Sequence, residues 1–510
     1  MKLKLSLIFL FFSSVLFAQK PNIIFLLTDD QRDNTFSCDG HPYVKTPNFD
    51  KLIGNGVRFT NTYIATPVCS PSRVSLFTGM CERKHAVGFS SSYKLTDKQW
   101  EKSYPALLRN DGYFTGFIGK IGIEYYTFKD RVEEKFDFWR GHNGWARFFP
   151  KTADNCKEYF DSDEDIITPI MGESMERFLD SVPDDKPFCL SVSFSVPHGS
   201  QTTSMFPENE EAGIMLVAAN ENPRLKGSPF YDKLYRNLTI EIPEETATDP
   251  YRFIPEAIMD QYQGRANETY IYNYNAISCT EHHIRYFQQI TGLDYIVGEL
   301  FKSLEKRGFA ENTVIIFGSD HGLLMGEYGM GGKGLLYDLT TKIPCFVYDP
   351  RLPEPMRGRK INELVSSLDI TTTILDYAGI EAPENMDGKS LKPFVYNENP
   401  KWRDELFLES LFTLRDNPFC EGIRSGNWKY IRMYDGIVHF DEADLDFKGR
   451  KPDFEQLFNL KQDPEEMVNL IDEYEGSKIL TQLRRKCEKQ SEEMNKKREK
   501  YMNTIDYERR

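Results

Sequence analysis

Four stretches of this chain are apolar almost without interruption: Asn22–Thr28, Tyr113–Gly119, Pro187–Val196 and Thr313–Ser319. A strand with one wet face alternates apolar and polar residues. Unbroken runs fit strands covered on both faces, as in a mostly parallel sheet between helices. Segments of helical pattern separate the runs up to about Tyr377, which predicts an α/β fold. Each run ends in polar residues: Asp29-Asp30, Lys120, His198 and Asp320-His321 in turn. In doubly wound sheets the carboxyl ends of the strands form the ligand crevice. One aspartate after a strand is commonly a helix N-cap, but four polar ends together mark a site.

A second feature points to the chemistry. Cys69-Ser70-Pro71-Ser72-Arg73 follows the extended run Val57–Ala65 and opens a short helix that Gly79 is placed to stop. Proline suits the first helical turn, where its missing N–H costs nothing. Cys69 then sits at a helix N-terminus, which favours negative charge. Arg73 adds a planar fork suited to sulfate or phosphate oxygens. The plainer reading makes Cys69 an ordinary buried cysteine and Arg73 a member of a surface ion pair.

Asp29, Asp30 and Asp320 offer carboxylate oxygens of the kind a hard divalent cation takes. Lys120 and Lys333 stand in the glycine-flanked contexts Gly119-Lys120-Ile121-Gly122 and Gly332-Lys333-Gly334. The net charge of −15 argues against non-specific wrapping of a polyanion. An anionic substrate would be drawn in by a local cluster of metal, Arg and Lys.

Cys-x-Pro-Ser-Arg followed by Leu76-x-Thr78-Gly79 resembles the signature of the type I sulfatases of the alkaline-phosphatase superfamily, and the resemblance runs from Pro21 to about Leu470. It implies a large, mostly parallel sheet sandwiched by helices, with a smaller C-terminal antiparallel-sheet subdomain. Cys69 would be oxidised to formylglycine, whose hydrated aldehyde is the nucleophile. Calcium, with magnesium second, would be held by Asp29, Asp30, Asp320 and His321 with position 69 itself. Lys120 and Lys333 would meet sulfate and leaving-group oxygens beside Arg73, and His198 would protonate the departing alcohol. One position departs from the pattern: the family reads Gly-Lys-x-His, and Gly122 stands where the second histidine belongs. His142, expected on a later loop, is the candidate replacement, with substrate binding or packing as the alternative. His85 is a candidate substrate contact.

At 510 residues the chain exceeds the usual size of one hydrophobic core. Residues 1–18 read as a signal peptide: Lys2 and Lys4, then apolar Leu5–Phe17, then Ala18. The expected organisation is a catalytic domain over 19–385 and a C-terminal subdomain over 386–510. Within the subdomain, Gly422–Met433 and Ile437–Phe440 suggest an antiparallel pair, and Ser477–Lys500 a charged packing helix. The loop-rich insert from Gln201 to about Arg265 is placed to border the cleft, and a helix is expected over Glu281–Lys306. The nine cysteines lack Cys-x-x-Cys pairing, and export would permit disulfides.

The reading is an exported, periplasmic or secreted sulfatase acting on a sulfated oligo- or polysaccharide, with ulvan or another marine polysaccharide first. Its other partner is the formylglycine-generating or maturating enzyme; neither nucleic acid nor a membrane span is expected. The alternatives are a phosphodiester or phosphonate monoester hydrolase of the same superfamily, or a non-catalytic glycan-binding protein with unmodified Cys69.

Overall fold

In the computed structural model of the chain, the four apolar runs become neighbouring strands of one sheet. The structure describes residues 20–505 except 90, 92, 124–127, 129, 145, 147, 199–233, 240–249, 259–275, 414–416 and 436–446. The expected signal peptide, the strand at Ile437–Phe440 and most of the Gln201–Arg265 insert lie outside the described residues.

The main sheet comprises β1 (Asn22–Thr28), β2 (Val57–Phe59), β3 (Phe114–Lys120), β4 (Phe138–His142), β5 (Phe188–Ser193), β6 (Thr313–Ser319), β7 (Cys345–Tyr348) and β8 (Arg359–Ile361). Their order across the sheet is β8-β2-β7-β6-β1-β5-β3-β4. Strands β6, β1, β5, β3 and β4 run parallel, and β7 alone runs antiparallel to its neighbours. The unbroken apolar runs have the expected cause: successive β1 residues feed different cores. Ile23, Phe25 and Leu27 pack with Val74 and Phe77 of the helix Cys69–Thr78 and with Ile370 and Ile374 of the helix Leu368–Ala378. Ile24 and Leu26 pack on the other face with Met171 of the helix Ile167–Ser181 and with Leu293, Val297 and Leu300 of the long helix Ala276–Lys306.

Leu391, Phe394 and Val395 still belong to the first of these cores. The second sheet follows, with β9 (Glu405–Ser410), β10 (Phe419–Ser425), β11 (Trp428–Tyr434) and β12 (Phe454–Asn459) paired antiparallel in that order. Gly422–Met433 is not one arm of a pair but spans a hairpin by itself. Gly426 at φ +57° supplies the left-handed turn between β10 and β11. The last helix, Lys478–Met502, buries Leu480, Leu483 and Cys487 as a packing helix should. No disulfide joins cysteines among the described residues. No helix among the described residues is long and apolar enough to cross a membrane.

One residue stitches the second sheet to the first. Arg83, on the short helix Glu82–His85, is fully buried. Its Nε lies 2.8 Å from Glu409 on β9 and its Nη2 2.5 Å from Glu421 on β10, and its Nη1 donates to Ser491 of the last helix at 3.0 Å. Removing a single partner from such a network leaves buried charge uncompensated, at a cost of about 3–5 kcal/mol. Arg83→Ala is therefore expected to lower the unfolding free energy by about that amount, read from the denaturant midpoint at unchanged slope.

Candidate active site

The ends of β6, β1, β5 and β3 are adjacent, so the polar residues that follow them meet at one edge of the sheet. Backbone bonds tie these exits together: Asp29 N–H donates to Val196 O at 3.3 Å and Asp320 N–H to Thr28 O at 3.0 Å. The helix Cys69–Thr78 ends at this edge with Cys69 in its first turn. Ser72 Oγ donates to Asp320 O at 2.6 Å and Ser70 Oγ to Gly122 O at 2.9 Å, which docks the helix start against two strand exits.

Asp29, Asp30, Asp320 and His321 are all buried, and one potential ligand atom from each falls within a group no wider than 4.8 Å. Lys120 Nζ lies 2.6 Å from Asp29 Oδ2, and Lys333 Nζ lies 2.7 Å from Asp30 Oδ1. Lys333 Nζ is also 3.3 Å from His198 Nε2, which stands 3.6 Å from Asp30 Oδ2. Eight of the nine expected residues thus form one continuous polar constellation. Cys69 is the exception: its sulfur is outside the four-residue cluster. A thiol is a soft donor, unlike the hard oxygens around it.

Arg73 takes a different position from the one its fork suggested. It is fully buried, with Nε donating to Asp320 Oδ2 at 2.9 Å and Nη1 donating to Lys120 O at 2.8 Å and Ser193 Oγ at 2.5 Å. Its fork therefore buttresses the strand ends and Asp320. Only Nη2 has no hydrogen bond, although it lies 2.9 Å from Asp320 Oδ2 and 3.5 Å from Asp29 Oδ1.

The electrostatics of the carboxylates are uneven. Burial pushes Asp29 upward, but Lys120, His198, Arg73 and Lys333 outweigh it and hold the carboxyl well below its ordinary value. The same contest leaves Asp30 at about 2: burial is the largest single influence and raises it, but His198, Lys333 and His321 together outweigh it. At Asp320 burial and the charge of Asp29 win against Arg73, and the group rises to about 7. Burial, with Lys333 reinforcing it, holds His321 well below the usual imidazole range. His198 is pushed down to about 4, again by burial first, with Asp30 opposing.

These residues fit a hard divalent cation. Asp29 Oδ1 and His321 Nε2 are buried with no hydrogen-bond partner. His321 Nδ1 lies 2.9 Å from Gly322 O. A proton on Nδ1 leaves Nε2 with the lone pair a metal ligand needs. Asp320 is the carboxylate least compensated by protein charge, so an added cation would favour its ionised form.

The remaining histidines fall elsewhere. His142 ends β4 and is not on a loop; it is buried, with Nδ1 2.8 Å from Tyr159 Oη and Nε2 3.0 Å from Ser195 Oγ. Both ring nitrogens are engaged, and burial drives it down to about 3. That is packing chemistry. His85 is likewise buried, with Nε2 on Ser75 Oγ at 3.0 Å and Nδ1 accepting Val87 N–H at 3.1 Å, which removes it as a substrate contact. Ser193 and Ser195 are partners that sequence reasoning missed; isolated serines at a strand end carry no signal.

Comparison with known proteins identifies the family. The chain matches the family described as Sulfatase over residues 21–380 and the N-sulphoglucosamine sulphohydrolase C-terminal family over 326–493. It is 26% identical to an N-acetylglucosamine-6-O-sulfatase of Bacteroides thetaiotaomicron, over 91% of this chain and 85% of that one. An ulvan-active sulfatase of Formosa agariphila is 25% identical, over 86% and 79%. A structure solved with its substrate D-glucosamine-2-N,6-O-disulfate superposes with a TM-score of 0.66 at 23% identity, covering 94% of this chain and 98% of that one. A phosphonate monoester hydrolase of Agrobacterium radiobacter shares the fold as well, with a TM-score of 0.64 at 22% identity, over 91% and 96%. A motif at a helix start, a buried carboxylate cluster at two adjacent strand ends and a family match spanning most of the chain converge: the protein belongs to the sulfatase family and is a sulfuric ester hydrolase.

Proposed function

We propose that the protein is an exported hydrolase of sulfate esters on a sulfated glycan, working through formylglycine made from Cys69 and a divalent cation, calcium before magnesium. The observation that carries this reading is the buried cluster Asp29, Asp30, Asp320 and His321 with its partnerless acceptor atoms. Arg73, one helical turn beyond Cys69, is bonded directly to that cluster. Those four residues would hold the cation, which supplies Lewis acidity toward the sulfate oxygens. The hydrated aldehyde at position 69 would supply the attacking hydroxyl.

The chain's own residues divide the remaining work. Lys120 and Lys333 keep two ammonium groups inside the pocket, placed for sulfate and leaving-group oxygens. Burial holds His198 neutral, so the proton for the departing alcohol would come from the Lys333 ammonium, 3.3 Å from His198 Nε2, with His198 passing it on. Burial of every member keeps water from diluting these charges. The names of relatives, an N-acetylglucosamine-6-O-sulfatase and an ulvan-active sulfatase, support a sugar sulfate as the substrate. Ulvan-type oligosaccharides are the first to assay. The deciding experiment offers the matured enzyme defined sulfated oligosaccharides beside phosphate diesters and phosphonate monoesters. Desulfation as the fastest reaction is expected; preference for a phosphonate would replace this reading with the hydrolase whose fold it shares.

Only a hydrated formylglycine carries the second hydroxyl needed to expel sulfate. Cys69→Ser should therefore fold normally yet show no multiple turnover, at most a single sulfation seen as a mass shift. Near-wild-type turnover in that variant would overturn the mechanism.

The carboxylates Asp29, Asp30 and Asp320 lie among the cations Arg73, Lys120 and Lys333. Repulsion among the carboxylates is thus already balanced by protein charge, and the metal is not needed to hold the fold. Chelation is expected to abolish turnover reversibly while the circular dichroism spectrum stays native, with calcium the best restorer. Asp29→Ala, Asp30→Ala and Asp320→Ala should each lower turnover by about 100-fold or more.

Restoring the family histidine should fail. Gly122 has φ +61°, and a Cβ there would lie 2.6 Å from Arg73 Cδ. Gly122→His must displace the arginine that buttresses Asp320. The expected result is a loss of at least about 1 kcal/mol of stability and reduced, not improved, turnover.

A further inference from the structure

On leaving β1 the chain turns at Asp30, whose φ is +69°. A residue with a Cβ enters that left-handed region only against a steric cost, even though aspartate tolerates it better than most. Surrounding contacts must hold it there. The contact that brackets the turn is Tyr286, from the middle of the long helix Ala276–Lys306. Its hydroxyl donates to Asp30 O at 2.9 Å and accepts Arg32 N–H at 2.8 Å. One buried phenol thus clamps the backbone at both ends of the Asp30–Arg32 segment. Arg32 is fixed in turn by a bidentate pair with Glu327, at 2.8 and 2.9 Å, and by donation from its Nε to Leu323 O at 2.5 Å.

The geometry of the turn decides where two carboxylates point. With the backbone so held, Asp30 N–H donates to Asp320 Oδ1 at 3.1 Å, and Asp30 Oδ1 stands 3.1 Å from His321 Nδ1. Three of the four cluster residues are therefore oriented through one left-handed residue. Without the clamp, Asp30 could relax toward ordinary backbone angles, and any cation would have to restore the strained turn on binding. A site ordered in advance avoids that cost.

We propose that Tyr286 is a positioning residue for the carboxylate cluster: its hydroxyl holds the Asp30 turn and thereby sets the affinity of the site for a divalent cation. The inference rests on the metal-dependent reading above. Tyr286 touches neither reacting atoms nor the cation ligands' own oxygens, so it acts through the backbone alone. Phenylalanine would fill the same space and remove only the clamp.

The test is calorimetric titration of calcium into metal-free, full-length wild-type protein and Tyr286→Phe, with melting curves of both in chelator. The expected result is about 10–100-fold weaker calcium binding in the variant, a metal-free melting temperature close to wild type, and turnover that recovers as calcium is raised to saturation. Wild-type affinity in Tyr286→Phe overturns the proposal, whether or not its melting temperature moves. Should that variant fail to fold, Arg32→Lys keeps the charge, loses the bidentate fork and loosens the turn from its other end. Unchanged affinity there overturns the proposal equally. If wild-type protein itself binds neither calcium nor magnesium, the metal-dependent reading falls, a result that involves no variant.

Discussion

The interaction on which the rest of the structure depends is the buried pair of Arg73 with Asp320. It joins the helix that carries Cys69 to the end of β6, and through Lys120 O and Ser193 it joins that helix to β3 and β5 as well. A charged pair with no solvent exposure is costly to desolvate and rarely stabilises a fold by its own attraction. Its effect is geometric. Two of the three guanidinium nitrogens, Nε and Nη1, find fixed acceptors, which restrains the helix start relative to the strand ends. Together with Ser70 and Ser72, this side chain registers the helix start that carries Cys69 to the carboxylates.

That role was not legible in the sequence. Arg73 and Asp320 lie 247 positions apart, and an arginine four residues after a cysteine at a helix start reads equally as an anion fork. What was legible followed from burial. Strands covered on both faces cannot hide their pattern, and the runs Asn22–Thr28 and Thr313–Ser319 match β1 and β6 residue for residue. Lys120, His198 and the aspartates were found because each interrupts an apolar run at its end. His142 and the Gly422–Met433 segment were misread for opposite reasons. The β4 strand is a short edge strand, with exposure at its start that resembles a loop. The hairpin turn has an ordinary turn signal, Gly426-Asn427, but it lies inside the segment read as a single strand.

The Gly122 departure has a consistent setting around it. Glycine there admits the positive φ and leaves the Arg73 side chain its path to Asp320. A histidine in the family position and this arginine placement are mutually exclusive in the present backbone. His142 does not repair the difference, because Tyr159 and Ser195 already use both of its ring nitrogens.

The C-terminal sheet also belongs to this argument. The helix that carries Cys69 is buried along its whole length, and the short helix Glu82–His85 that follows it packs back against it, with His85 on Ser75. Arg83 on that short helix is held by two glutamates of the second sheet and a serine of the last helix. Chain segments more than 300 residues away thus close one side of the nucleophile helix. The first sheet alone offers this buried cation neither glutamate, so the second sheet compensates its charge. The second sheet thereby buttresses the chain that follows the Cys69 helix, although none of its residues joins the carboxylate cluster.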